Sequence, residues 1–415
     1  LTFLLVPIFF IICLIVWFIL ISYTKKARIL FVIWNTCRLL KQKLNQNSSK
    51  GEVYMRYLIR LSMIALIYLF VISNLYAEQK KEIKAGDYWW NQPPREKPAE
   101  NPHKKELPLI GVKGNEFVDS KGKAVIFRGL ATSDADKLER QGYWNKKHFE
   151  EMKKMGANIV RLPVHPIAWR ERTPEVYLKL LDDAVKWCTE LKMYVIIDWH
   201  SIGNLEMELF QDPYYETTKK ETYEFWRTIA GHFKGNNTVA FYEIFNEPTL
   251  FFGALGSMTW NEWKKINEDI INLIRAYDKE TIPLVAGFDW AYDLKPIRDE
   301  PINAEGIGYT AHPYPFKRKK PWEPKWDEDF GFAKGKYPVV ATEFGFDPEE
   351  IEKDENKGYG EIIIGYLEER GISWVGWIFD ADWYPKMIKS WEDYEITESG
   401  DFFKKALQGS DEKFF

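Results

Sequence analysis

Eight mostly apolar runs recur along the body of the chain, at residues 125–130, 158–164, 194–200, 239–246, 283–288, 306–314, 339–346 and 373–380. Near-continuous apolar character of this kind belongs to parallel strands buried on both faces. Between several of the runs the apolar positions recur at helical spacing instead, over 144–155, 174–191, 218–233, 260–277 and 359–369. Thr173 followed by Pro174 reads as a cap and first-turn pair for the second of these helices. The segment between the fifth and sixth runs has weaker helical periodicity. Strand–helix alternation repeated eight times over about 290 residues fits an α/β fold, a (β/α)8 TIM barrel, whose usual size is about 250 residues before insertions. The rival architecture, a doubly wound open sheet, carries a Gly-rich phosphate loop after its first strand. Here that strand ends in Arg128-Gly129-Leu130-Ala131-Thr132, with no such loop. Ahead of the barrel, residues 117–125 read as an N-terminal β-hairpin with its turn at 120–122.

The N-terminal region follows other rules. Residues 3–21 form an uncharged apolar run long enough to span a bilayer, followed by Lys25, Lys26 and Arg28. Met55 opens a second pattern: Arg56 and Arg60, an apolar stretch over 61–72, then Ser73-Asn74-Leu75-Tyr76-Ala77. That is the charged, apolar, small-residue order of a secretory signal peptide, cleaved after Ala77. Residues 55–77 are therefore read as a signal peptide, and 1–54 as either translated upstream sequence or a membrane anchor. Both readings export the body, secreted, periplasmic or at the cell surface, or tethered to the membrane. Residues 78–109 are polar and Pro-rich and read as a linker or arm, which leaves 110–410 for the barrel domain.

Charge narrows the partner. The first 77 residues carry nine Lys or Arg and one acid, Glu52. Taken from the 57 basic and 61 acidic residues of the whole chain, this leaves 48 and 60 in 78–415, a formal charge of −12. So acidic a body argues against a nucleic-acid ligand, which needs a basic face. The 18 Trp divide between core and a groove of flat faces suited to sugar rings. Only Cys188 lies in the body, within a helical pattern, so no disulfide can form there and a small buried hydrophobe is expected. No Cys/His cluster suggests zinc.

In a barrel of this kind chemistry gathers at the C-terminal ends of the strands. Polar residues stand there: Arg161 and His165 after the second run, Asp198-Trp199-His200 after the third, Asn246-Glu247-Pro248 after the fourth, His312-Pro313-Tyr314 after the sixth, Glu343 on the seventh, and Trp377 and Asp380 on the eighth. Unpaired ions in a buried strand cost several kcal/mol, so so many at one rim point to a site. Two carboxylates closing different strands meet the requirement for cleaving a glycosidic bond, one protonating the leaving oxygen and the other attacking the anomeric carbon.

The stretches Ile159-Val160-Arg161-Leu162-Pro163-Val164, Ile197-Asp198-Trp199-His200, Ile244-Phe245-Asn246-Glu247-Pro248, Thr310-Ala311-His312-Pro313-Tyr314 and Ala341-Thr342-Glu343-Phe344-Gly345 resemble glycoside hydrolase family 5, the cellulase-type family. Each tag alone occurs widely; five in order, each closing a strand, are specific together. The resemblance covers residues 112–408 and implies a retaining endo-β-1,4-glycoside hydrolase, an endoglucanase of polysaccharide catabolism. It implies Glu247 as acid/base, Glu343 as nucleophile, and Asn246 bound to the sugar 2-hydroxyl. Arg161 and Tyr314 would hold the nucleophile, His200 and His312 would bind substrate or the glutamates, and Trp377 would lie under the sugar. Mannanase, xyloglucanase and xylanase specificities stay open, because loops choose the polymer. A non-catalytic glycan-binding surface protein is the reading of a different class. No metal or cofactor is required, the partner is a β-linked polysaccharide or oligosaccharide, and a monomer is expected. Trp169, Trp290 and Trp383 follow strands and read either as groove stackers or as core. His165 and Asp198 read as structural, and Asp182-Asp183 and Glu368-Glu369 as solvated helix faces.

Overall fold

The computed structural model describes residues 105–249, 255–351 and 358–409. The proposed leader, anchor and most of the arm lie outside these residues. Among the described residues no helix is long and apolar enough to cross a membrane.

Strands β1 (Gly111–Lys113) and β2 (Glu116–Val118) pair antiparallel. The regular hairpin therefore lies one turn earlier than the sequence pattern suggests. Residues 117–125 contribute only a single bridge, Val118 to Ala124, around the turn closed by Gly122 N–H to Asp119 O (2.8 Å). Barrel strands follow as β3 (Arg128–Ala131), β4 (Ile159–Val164) and β5 (Tyr194–Trp199). After two short strands, β6 (Ile202–Asn204) and β7 (Leu209–Phe210), come β8 (Val239–Glu243), the two-residue β9 (Glu247–Pro248) and β10 (Ile282–Ala286). The last three are β11 (Gly308–Thr310), β12 (Val339–Phe344) and β13 (Ser373–Gly376). Parallel pairing runs β3-β4-β5-β8-β10-β11-β12-β13 and returns to β3, a closed eight-stranded barrel as the alternation predicts.

The strands are buried on both faces, and that explains two separate cores. Ile159, Ile196, Phe241, Leu284, Val340 and Val375 fill the interior. Phe117 of the hairpin closes its lower end, edge-on to Phe241 (4.8 Å) and Phe127 (6.1 Å). Residues of opposite parity meet the surrounding helices, which include Lys146–Met155, Pro174–Glu190, Lys219–Phe233, Trp260–Tyr277 and Tyr359–Glu369. Thr259 and Glu262 start the Trp260 helix with a reciprocal capping box.

Two local expectations change and a third holds. Thr173 makes no side-chain cap; it sits at φ 69°, the hinge between two abutting helices. Glu368 is no solvated acid: it is nearly buried, receiving Arg128 Nε at 2.6 Å and Trp374 Nε1 at 2.7 Å. Between β10 and β11, where helical periodicity is weak, Asp289, Trp290 and Ala291 adopt left-handed angles and a 3-10 turn follows at Lys295–Arg298.

Candidate active site

Arg161 on β4 organises the barrel mouth. Its side chain is fully buried, so an uncompensated cation would be costly. It donates Nε to Glu243 Oε2 (2.6 Å), Nη1 to Glu343 Oε2 (2.8 Å) and Nη2 to Asn246 Oδ1 (2.6 Å), with Asp198 Oδ2 3.0 Å from Nη2. Burial disfavours the charge, but Asp198, Glu243 and Glu343 outweigh it and hold the guanidinium above its ordinary range.

Glu343 accepts a second hydrogen bond, Tyr314 Oη to Oε1 at 2.7 Å. Its neighbour Thr342 also faces the site and donates to Glu243 Oε1 at 2.6 Å. Consecutive strand residues ordinarily point to opposite faces. Here the register between β12 and β13 slips between Ala341 and Phe344, and such an irregularity re-aims side chains.

Glu247 is carried by β9, which pairs in parallel with β6 outside the barrel. Its N–H donates to Ser201 O (3.0 Å) and that of Asn246 to Trp199 O (3.1 Å), so backbone bonds anchor both residues. His312 stands between two glutamates: Nδ1 lies 3.0 Å from Glu247 Oε1, and Nε2 lies 3.4 Å from Glu243 Oε1 and 3.0 Å from Thr342 Oγ1. One carboxylate oxygen of Glu247 comes within 4.8 Å of one on Glu343.

Four carboxyl groups thus share one arginine and one histidine, and they cannot all ionise in a buried site. Burial raises Glu247, reinforced by the charge of Glu343 and opposed by His312. Burial also raises Asp198 well above the carboxylate range, despite Arg161. Glu243 goes the other way: burial is outweighed by Arg161 and His312, which pull it down to about 2. His312 pays for burial, yet Glu343, Glu243 and Glu247 lift it to about 9. Among the described residues, one donor atom each of Glu247, His312 and Glu343 lie within 4.8 Å of one another, and hydrogen bonds to His312, Arg161 and Tyr314 already engage the two carboxylates.

The remaining residues divide. Among the described residues His200 forms its hydrogen bond with Asp198, not with Glu247 or Glu343. Its Nδ1 lies 2.6 Å from Asp198 Oδ2, and its ring stacks on Trp377 at 5.4 Å and 4°. Trp383 continues the stack on Trp377 (6.2 Å, 21°). Trp169 is core, packed on Tyr177 and Phe225 beneath the helices. Trp290 is partly exposed, with Lys317 Nζ 4.4 Å from its ring and its own Nε1 bonded to Gln211. His165 is bound through Nδ1 to Asp134 (2.9 Å), and Cys188 is buried. Sequence reasoning missed Glu243 and Thr342. The available signal was a lone acid inside the apolar run Val239-Ala240-Phe241-Tyr242-Glu243.

Residues 118–382 match the family model described as cellulase, glycosyl hydrolase family 5. An endoglucanase of Clostridium saccharobutylicum is 27% identical over 319 residues, covering 72% of this chain and 65% of that protein. Endoglucanase A of Butyrivibrio fibrisolvens is 29% identical, covering 49% and 45% respectively. The chain therefore spans less than two thirds of the length of these curated relatives. Among solved structures, a β-glucanase of Saccharophagus degradans is 44% identical with a TM-score of 0.73, covering 78% of this chain and 99% of that one. A second structure of that enzyme, in complex with cellotetraose, is 45% identical with the same TM-score. With a family match running from residue 118 to 382, well over half of its length, the chain belongs to glycosyl hydrolase family 5, the cellulase family.

Proposed function

We propose that the chain is a retaining endo-β-1,4-glucanase. The observation that carries this reading is that Glu247 and Glu343, in unlike surroundings, bring one carboxylate oxygen each within 4.8 Å of the other, with no gap wide enough between those atoms for a water to work across. Retaining enzymes hold their carboxyl groups about 5–5.5 Å apart, and inverting ones leave about 6.5–9.5 Å for a water. Glu343, bonded to Arg161 and Tyr314, is held in place for attack on the anomeric carbon. Glu247, raised by burial and bonded to His312, is placed to supply the proton that the leaving oxygen must receive. As the aglycone departs, the sugar is bonded to Glu343; Glu247 then takes a proton from water, which releases the sugar with its original configuration. The buried Nδ2 of Asn246 has no protein partner and is suited to a sugar hydroxyl, while Arg161 orients the other end of the amide. The Trp377 face, continued by His200 and Trp383, supplies stacking for the ring being cleaved.

The named activities of the relatives, endoglucanases and a β-glucanase that binds cellotetraose, favour a β-glucan over mannan or xyloglucan. A polymeric substrate stays outside the cell, in keeping with residues 55–77 as an export signal. Proton NMR of the first product from a soluble β-glucan tests the reading. The β-anomer should appear before mutarotation, and initial appearance of the α-anomer refutes retention. Reducing-end release across β-glucan, mannan and xyloglucan decides the polymer.

A further inference from the structure

We infer that Glu243 is a positioning residue for proton transfer: its carboxylate fixes His312 so that the imidazole and Glu247 hold one proton between them. This rests on the retaining-hydrolase reading above. Glu243 is fully buried at the end of β8 and is itself clamped. Arg161 Nε holds one of its oxygens at 2.6 Å and Thr342 Oγ1 the other at 2.6 Å.

The clamp fixes the tautomer of His312. Because the Thr342 hydroxyl donates its only proton to Glu243, its oxygen is left as an acceptor, 3.0 Å from His312 Nε2. The other neighbour of Nε2, Glu243 Oε1 at 3.4 Å, is an acceptor too. Nε2 therefore carries a hydrogen in either charge state of the ring. Nδ1, 3.0 Å from Glu247 Oε1, then has two choices. It donates to a Glu247 carboxylate, or it accepts from a Glu247 carboxyl group. Both states contain one proton on the Nδ1–Oε1 line and differ only in which atom holds it. Glu247 must carry that proton in the first step and be free of it in the second, so a partner that can share it serves both. No atom of Glu243 need touch substrate.

Around the ring, the titratable groups from each packed element are Glu243 on β8, Glu247 on β9, Glu343 on β12, Arg161 on β4, and Asp198 with His200 at the end of β5. Of these described groups, Glu243 and Glu247 meet a ring nitrogen. Removing the anion beside Nε2 makes the shared proton easier to lose, whichever atom holds it, since an opposite charge at this range moves a titration by about 1–3 units.

The test compares wild type with E243Q by the pH dependence of kcat/KM on a dinitrophenyl and on a phenyl β-cellobioside. In E243Q the alkaline limb for the phenyl substrate, whose leaving group needs the proton, should move down by about one unit or more. The dinitrophenyl substrate should hold its rate through the same range, and KM should change little. An unmoved alkaline limb in active E243Q overturns the inference while leaving the hydrolase reading intact. A wild-type enzyme inert on both substrates overturns the hydrolase reading itself. If E243Q does not fold, 15N NMR of wild-type imidazoles decides, with the His312 signals assigned by their loss in H312N. A protonated Nε2 throughout the titration supports the inference, and a neutral ring carrying its hydrogen on Nδ1 overturns it.

Discussion

Replacing Glu247 by alanine separates the work of the two glutamates. Glu247 bonds His312 and leaves Arg161, Tyr314 and Glu343 to their own contacts, so under the proposed mechanism its removal deletes the proton donor without disturbing the contacts of Glu343. With a sugar or phenol as leaving group, general acid catalysis contributes about 10²–10⁴ in rate, or about 3–5 kcal/mol. A dinitrophenolate leaves as an anion and needs no proton, so kcat/KM on dinitrophenyl β-cellobioside should stay within about tenfold of wild type. The second step has also lost its base. The glycosyl-enzyme should therefore accumulate, visible as a burst of dinitrophenolate followed by slow turnover. Azide, a small nucleophile that needs no deprotonation, can enter the space the carboxylate vacates. It should restore turnover and yield the β-glycosyl azide. Stopped-flow kinetics with and without azide give the burst and the rescue, and NMR identifies the product. Glu343→Ala should show neither burst nor turnover on either substrate. Equal losses on both leaving groups in Glu247→Ala, or no loss at all, would refute the assignment.

Other perturbations follow from single contacts. Tyr314→Phe removes the 2.7 Å hydrogen bond to Glu343 Oε1; a bond to a charged group is worth about 1.5–3 kcal/mol, so kcat/KM should fall about 10- to 100-fold, measurable by steady-state kinetics. Glu243 is held at about 2 against the usual 4.5, by Arg161 and His312 in spite of burial. The stability it gives is complete above pH 4.5 and is lost as the pH falls through 2. Urea midpoints should decline across that window in wild type, and Glu243→Gln should flatten this part of the profile. Gly129→Ala would place a Cβ 2.1 Å from the Ile159 carbonyl on the neighbouring strand. Because backbone cannot step aside, the cost should be about 1–3 kcal/mol or more, seen as a lower Tm at unchanged KM.

What the sequence discloses depends on whether a residue's place in its run marks it out without its partners. Strands such as β4 and β12 are legible because burial on both faces leaves an apolar run with a polar residue at its end. The same logic finds Glu247 and Glu343. Glu243 escapes it, because the acid sits inside its run and its partners, Arg161 and His312, lie 82 and 69 residues away. Glu368 is misread on a helix for the same reason, its arginine being 240 residues distant. Periodicity also cannot tell Trp169, turned beneath the helices, from Trp383, turned along the stack with Trp377. Strands of two or three residues, such as β7 and β9, are too short to show any period.

Arg161 has one further consequence, for the way the barrel forms. The guanidinium reaches Asp198 on β5, Glu243 on β8 and Glu343 on β12, so its bonds run like spokes across the ring. A chain folded only as far as β8 would enclose the cation with Asp198 and Glu243 but without the carboxylate that the seventh barrel strand brings. Half-built barrels gain little from burying that residue, and the full set of spokes exists only once the circle has shut. The interactions that hold Glu343 are thus complete only when strands far apart in the chain have come together around the wheel.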